Sequence, residues 1–241
     1  MFKIFREVWT LLIGLIGAME IEVNGLKSLM NGAKIEEISS IKYYSGSING
    51  IECVVAEAGV GKVNAAVCAQ TMILKYNPDI IINIGVAGGL APELGTGDIA
   101  VADRVVEHDM DTTPVGDELG FISGINKVYM DCDKEISDKL YKAASALDGL
   151  NVKRGVIASG DQFIASDEQR DKIIKSFNAI AAEMEGASIG HVCTMSGVRF
   201  GVMRAISDGA NSDSVVDFPT FAKMAAENSI NIILKLFEDL K

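Results

Sequence analysis

The chain is poor in metal-binding side chains. Its histidines are two, His108 and His191, and its cysteines four, Cys53, Cys68, Cys132 and Cys193, with no CxxC pair, no HExxH and no short His/Cys spacing. A multi-histidine cluster or a zinc ribbon is therefore excluded, no metal is expected, and the scattered cysteines read as reduced thiols of a cytosolic protein. Lysine and arginine form no block, and the formal charge of −11 is spread along the chain, which argues against a nucleic-acid footprint. A small uncharged or cationic ligand suits that charge better. There is no GxxxxGK[ST], and Gly59-Val60-Gly61-Lys62-Val63-Asn64 supplies only GxGxxN, so P-loop and dinucleotide-binding readings are both weak. No Pro/Ser-rich linker and no internal repeat divides the chain. The apolar run from Val8 to Met19 is shorter than the ~20 residues a membrane helix needs. Preceded by Lys3 and Arg6, that run superficially resembles a signal peptide. The competing and favoured reading is a buried first strand, Leu11 to Ala18, of a sheet covered on both faces.

What is present is apolar bulk: 49% of the 241 residues are hydrophobic, enough for one sizeable core. Lys42 to Ser47 and Ile51 to Glu57 flank Asn49-Gly50, a tight-hairpin dipeptide. Lys62 to Leu74 has helical spacing and stops at Asn77-Pro78. Strands are expected at Asp79 to Val86, Asp98 to Val106, Val152 to Ser159, Ala179 to Met184 and Val198 to Ile206. Helices are expected at Lys134 to Leu147, at Ser166 to Ser176 with a Ser166/Gln169 capping box, and at Phe218 to Leu240 with Pro219 in its first turn. Asp109 to Asn126, rich in Asp, Thr, Gly and Pro, reads as a long loop of the kind that is often functional. Strands alternating with helices predict a single-domain three-layer α/β/α sandwich with a mixed central sheet. The domain is expected over residues 11–241, with residues 1–10 as an N-terminal extension.

Carboxylates recur where the apolar strands end. Glu20 and Glu22 follow the first, Glu183 and Glu185 close a later one, and Ser207-Asp208 closes another. Each has an ordinary explanation, since acids favour helix N-termini and Asp is a common N-cap. For Glu183 and Glu185, a surface position, an ionic partner and a ligand site all stay open, because an unpaired buried charge is expensive. Taken together with Arg204 and nearby aromatics, the acids look like a site able to protonate a leaving group, activate water and hold hydroxyls. Paired acids of this kind cleave anomeric bonds through an oxocarbenium-like state.

The motifs IGLIGAMEIEV, INIGVAGGLAPELGTGDI, SGDQFI, AAEMEGASIGHVC and VMRAISDGAN follow one another along the chain. In that order they resemble the 5′-methylthioadenosine/S-adenosylhomocysteine nucleosidases of the nucleoside phosphorylase superfamily, over roughly Leu11 to Leu240. The resemblance implies a nucleoside phosphorylase/hydrolase-like fold and hydrolysis of the N-glycosidic bond of methylthioadenosine and S-adenosylhomocysteine. It implies Asp208 as the acid at purine N7, oriented by Ser207, and Glu22 as the group that positions and deprotonates water. Glu185 would take the ribose hydroxyls, with Met184 packed on the sugar and Arg204 supporting that end; Glu183 would be structural. Phe163 would stack on adenine beside the Ile164 backbone and Asp161, and Phe218 would cover the 5′-thio side, although either ring could instead pack in the core. Val86 stands where family members often carry a serine that lines the ribose. Loop 108–118 keeps His108, Asp109 and Asp111 but holds Pro114, Val115 and Asp117 where an aromatic-containing FGY is common, which leaves the 5′-substituent open, including 5′-deoxyadenosine. By the same resemblance the protein is a cytoplasmic homodimer whose loop 108–118 reaches the partner's site, without cofactor, nucleic acid or membrane. The related phosphorylases place arginines in the first-strand loop and the third strand, where this chain has AMEIE and INIGVAGG. Glu22 would repel a phosphate dianion there. An aminofutalosine nucleosidase, a phosphorylase or a non-catalytic nucleoside-binding protein are the alternatives.

Overall fold

In a computed structural model that describes residues 11–208 and 218–240, the first apolar run forms β1 (Leu12–Gly17), buried along its whole length. The expected extension at residues 1–10 lies outside the described residues. The side chains of β1 alternate: Leu12 and Ile16 enter one hydrophobic cluster, Ile13 and Leu15 a second one on the other face. Burial on both faces explains why the strand reads as a continuous apolar run.

After β1 come α1 (Glu20–Leu29), β2 (Asn31–Ile38), β3 (Ile41–Ile48), β4 (Ile51–Glu57) and α2 (Lys62–Tyr76). Asn49 and Gly50 turn the β3–β4 hairpin with φ of 51° and 83°, the left-handed geometry that the Asn-Gly pair tolerates. The expected strand Asp79 to Val86 is two strands, β5 (Ile80–Asn83) and β6 (Val86–Gly89). They separate because β5 lies between β1 and β11 (Arg199–Asp208), whereas β6 lies between β11 and β10 (Ala179–Glu183). The rest comprises β7 (Ile99–Glu107), β8 (Tyr129–Asp131), α3 (Lys134–Ser145), β9 (Val152–Ser159), α4 (Asp167–Phe177), α5 (Gly186–Ser196) and α6 (Phe218–Glu238). Residues 109–126 form the long loop expected, with a single 3-10 turn at Thr113–Val115 and an isolated bridge between Ile122 and Lys127.

The sheet has the order β2-β3-β4-β1-β5-β11-β6-β10-β9-β7-β8 and mixes parallel and antiparallel neighbours. Helices cover both faces. Ala65, Cys68 and Met72 of α2 and Ala187, Ile189 and Cys193 of α5 pack on one. Val23 and Leu26 of α1, Ile136 and Leu140 of α3, and Ile233 and Phe237 of α6 pack on the other. Each fully buried Val, Leu, Ile, Phe or Met among them contributes roughly 1.5–3 kcal/mol. β7 also pairs with β11, Arg204 opposite Ala100, so strands β11, β6, β10, β9 and β7 close on themselves. That closure brings the ends of strands running in both directions around one cavity. All four cysteines are buried free thiols.

Candidate active site

Every acid of interest stands at or just past the end of its strand: Glu22 beyond β1, Glu183 and Glu185 at the end of β10, Asp208 at the end of β11. They surround a cavity of about 260 Å³ whose wall also includes Met19, Val60, Val86, Gln162, Phe163, Ile164, Met184 and Ser207. That volume lies just below the roughly 300–1,000 Å³ of ligand pockets. Among the described residues the wall carries four carboxylates and no lysine or arginine.

Glu22 sits in the first turn of α1, 2% exposed. Its Oε2 accepts the backbone N–H of Ala18 at 2.7 Å and of Met19 at 2.9 Å, and its Oε1 accepts that of Val86 at 3.0 Å. The carboxylate therefore ties the start of α1 to the start of β6. Gly85 makes room for it, since a Cβ there would lie 2.6 Å from Glu22 Oε1 and 3.3 Å from Arg204 Nη1. Burial raises the Glu22 pKa above the ordinary glutamate value, with the Arg204 charge and the three N–H bonds offsetting only part of the rise.

Glu183 and Glu185 differ sharply although one residue separates them. Glu183 is bonded by Ser159 Oγ, by Arg204 through Nε and Nη2, and by the N–H groups of Glu185 and Gly186 at 3.0 and 2.8 Å. Burial pushes its carboxyl up, but Arg204 and these hydrogen bonds outweigh that and hold it below the ordinary range. Glu185 receives one N–H, from Gly61 at 2.9 Å, and stands 3.8 Å from Arg204 Nη2. Burial first, then the charge of Glu183, push its pKa up to about 7.

Asp208 accepts the Ser207 hydroxyl at 2.7 Å. Burial raises its pKa, with the Ser207 bond and the Arg170 charge pulling the other way. A carboxyl whose hold on its proton is strengthened by burial, in one cavity with further carboxyls, suits a reaction whose leaving group needs a proton while positive charge develops beside it.

The model of the Phosphorylase superfamily matches residues 12–238. A 5′-methylthioadenosine/S-adenosylhomocysteine nucleosidase of Staphylococcus aureus is 40% identical over 95% of this chain and 100% of its own. The solved nucleosidase of Neisseria meningitidis, in complex with methylthio-immucillin-A, superposes with a TM-score of 0.90 at 33% identity, over 95% of this chain and 99% of that one. The chain belongs to the 5′-methylthioadenosine/S-adenosylhomocysteine nucleosidase family. A futalosine hydrolase mutant of Helicobacter pylori shares the fold too, with a TM-score of 0.89 at 30% identity over 95% of this chain and 100% of that one.

Of the residues expected in this nucleosidase-family site, Glu22, Val86, Phe163, Ile164, Met184, Glu185, Ser207 and Asp208 all line the one cavity. Arg204, expected among the substrate-binding residues as support for the ribose end, is not in the wall. It is 1% exposed and lies beneath, between Glu183 and Asn83, its guanidinium turned inward by the hydrogen bonds it donates to both. Phe163 is 53% exposed, which removes the core-packing alternative for that ring. The side chain of Phe218 lies outside the described residues. Asn83, Ser159, Met19, Val60 and Gln162 belong to the site or its support and carried no expected role. Asn83 had a legible signal, a lone amide in the apolar run IIINIG; its Nδ2 donates to the Ile16 carbonyl at 2.8 Å.

Proposed function

We propose that this protein hydrolyses the N-glycosidic bond of 5′-methylthioadenosine and S-adenosylhomocysteine, releasing adenine and the 5-thioribose product. The observation that carries the choice of water over phosphate is the cavity wall, with four carboxylates and no cationic side chain among the described residues. A phosphate dianion has no counter-charge there. Asp208, holding its proton above the ordinary aspartate range, protonates N7 so that adenine leaves as a neutral base. Ser207 orients that carboxyl through its 2.7 Å hydrogen bond. Glu22 positions water and takes its proton; burial makes it the stronger base.

Glu185 binds the ribose 2′- and 3′-hydroxyls, bonds that strengthen as the ring becomes cationic, and Met184 packs on the sugar. Arg204 acts indirectly by holding Glu183, which fixes the backbone of Glu185 and Gly186. Phe163 stacks on adenine, the Ile164 backbone reads its edge, and Val86 lines the ribose side. By the family resemblance the protein is a homodimer in which loop 108–118, with Val115 exposed, approaches the partner's 5′ pocket. Methionine salvage and recycling of S-adenosylmethionine by-products in the cytoplasm is the setting, residues 11–241 forming the nucleosidase domain and 1–10 an extension.

The test is adenine release from methylthioadenosine, S-adenosylhomocysteine and 5′-deoxyadenosine, with and without phosphate. Release without phosphate, unchanged by adding it, is expected. Release that requires phosphate identifies a phosphorylase. The likeness to the Helicobacter pylori futalosine hydrolase makes an aminofutalosine substrate the second reading, and preferential cleavage of that nucleoside would establish it.

A further inference from the structure

Behind the base-binding end of the cavity lies a chain of charged side chains that the reaction itself does not use. Lys62 Nζ stands 2.7 Å from Asp109 Oδ1 and 3.3 Å from Glu107 Oε2, and Glu107 Oε1 lies 3.0 Å from His191 Nδ1. The side chains of Lys62, Glu107 and Asp109 are 19%, 11% and 16% exposed, so the cluster is largely withdrawn from water. Exposed pairs contribute little, but removing one partner of a desolvated pair leaves the other uncompensated.

The backbone around Lys62 is engaged as well. Lys62 is the first residue of α2, and the free amides of a helix N-terminus favour carboxylates. Two are supplied: Gly61 N–H donates to Glu185 Oε1 at 2.9 Å, and Lys62 N–H donates to Asp161 Oδ1 at 2.8 Å. Asp161 N–H in turn donates to Asp109 Oδ2 at 2.9 Å, and Ser188 Oγ donates to the Lys62 carbonyl at 2.6 Å. Gln162, Phe163 and Ile164, which follow Asp161 directly, line the cavity. A loop closed from both sides by the same lysine is held in place at two points, through the Lys62 amide and through Asp109.

We propose that Lys62 is a positioning residue: its ammonium, acting through Asp109, and its amide together hold the loop 161–164 against the base, while the adjoining Gly61 amide sets Glu185 at the ribose. The proposal rests on the nucleosidase reading of the cavity. Lys62 touches no reacting atom in this scheme. Its loss therefore weakens capture of the base more than it slows the bond-breaking step, which Asp208 and Glu22 carry from other strands.

The test combines steady-state kinetics on methylthioadenosine with amide hydrogen exchange of the wild type, Lys62→Met and Lys62→Arg. For Lys62→Met, KM rises about tenfold or more with kcat changed less than about threefold, and the Asp161 and Lys62 amides exchange faster while those of the β1 core do not. Lys62→Arg, which keeps the charge, restores most of the KM. Unchanged KM and unchanged exchange at Asp161 in Lys62→Met overturn the proposal, as does a lower melting temperature without any KM effect. Should Lys62→Met not fold, Asp109→Asn takes its place, since it removes the charge that Lys62 holds yet keeps an oxygen for the Asp161 amide; a KM shift in the same direction is expected, and none overturns the proposal. A wild-type protein that cleaves no adenosine thioether sinks the nucleosidase reading instead, and the exchange comparison at Asp161 then decides the clamp by itself.

Discussion

Two sets of carboxylates meet at this cavity, and they are held in opposite ways. Glu183, at the back of the cavity wall with its side chain 2% exposed, has a full complement of donors, Arg204, Ser159 and two backbone amides, and its pKa is held down. Glu22, Glu185 and Asp208 face the cavity, and burial outweighs their partners and pushes all three pKa values up. Saturated pairing stabilises a charge and leaves it inert. Incomplete pairing in a partly dehydrated wall leaves a proton that can move and lone pairs that a ligand can take.

The largest effects fall on the groups that move protons. Asp208→Asn and Glu22→Gln are each expected to lower kcat by about 10²–10⁴-fold with little change in fold, measured as adenine release. A near-wild-type rate in either variant removes that residue from the chemistry. The next effect falls on the floor of the cavity: Arg204→Met leaves Glu183 buried without its counter-ion, at a cost of about 3–5 kcal/mol. For a chain of this size that lowers Tm by on the order of 10 °C, and an unchanged Tm would show that the pair is dispensable.

A smaller effect is read through pH. Glu185 titrates at about 7 in the folded protein against 4.5 when unperturbed. Between those values the folded state holds more protons than the unfolded one, so the contribution of this group to stability is complete at low pH and is lost as pH rises through about 7. Glu185→Gln removes that dependence. Its Tm relative to wild type should therefore climb between pH 5 and pH 8, as read by thermal melts, whereas a constant difference would mean that Glu185 is ionised throughout.

Much of this was legible in the chain. Asn49-Gly50 announces its hairpin because few residues accept positive φ, and the Ser166/Gln169 box announces α4, where Gln169 N–H donates to Ser166 Oγ at 3.3 Å. The candidate site was legible because its acids interrupt apolar strands. Other elements left little trace. In α1, Asn24 and Gly25 lower helix propensity, and Gly25 is there because a Cβ would come within 2.4 Å of Ile230 on α6. β2 shows no alternation because nearly all of it is exposed at the sheet edge, and α5 shows no stripe because small residues such as Gly186, Ala187 and Gly190 are buried with their neighbours. The place of Arg204 depends on closure of β11 against β7, a long-range pairing that no local pattern encodes.

The most direct test sets Glu183→Gln beside Glu185→Gln, with Tm and kcat/KM for methylthioadenosine measured on both. The expected result is a division: Glu185→Gln keeps or raises Tm at neutral pH and loses about 10–100-fold in kcat/KM, as a lost charge-assisted hydrogen bond to the ribose requires, while Glu183→Gln suffers the larger fall in Tm. A Glu185→Gln variant with unchanged kcat/KM, or a Glu183→Gln variant with unchanged Tm, would contradict the division of labour between the saturated and the incompletely paired carboxylate.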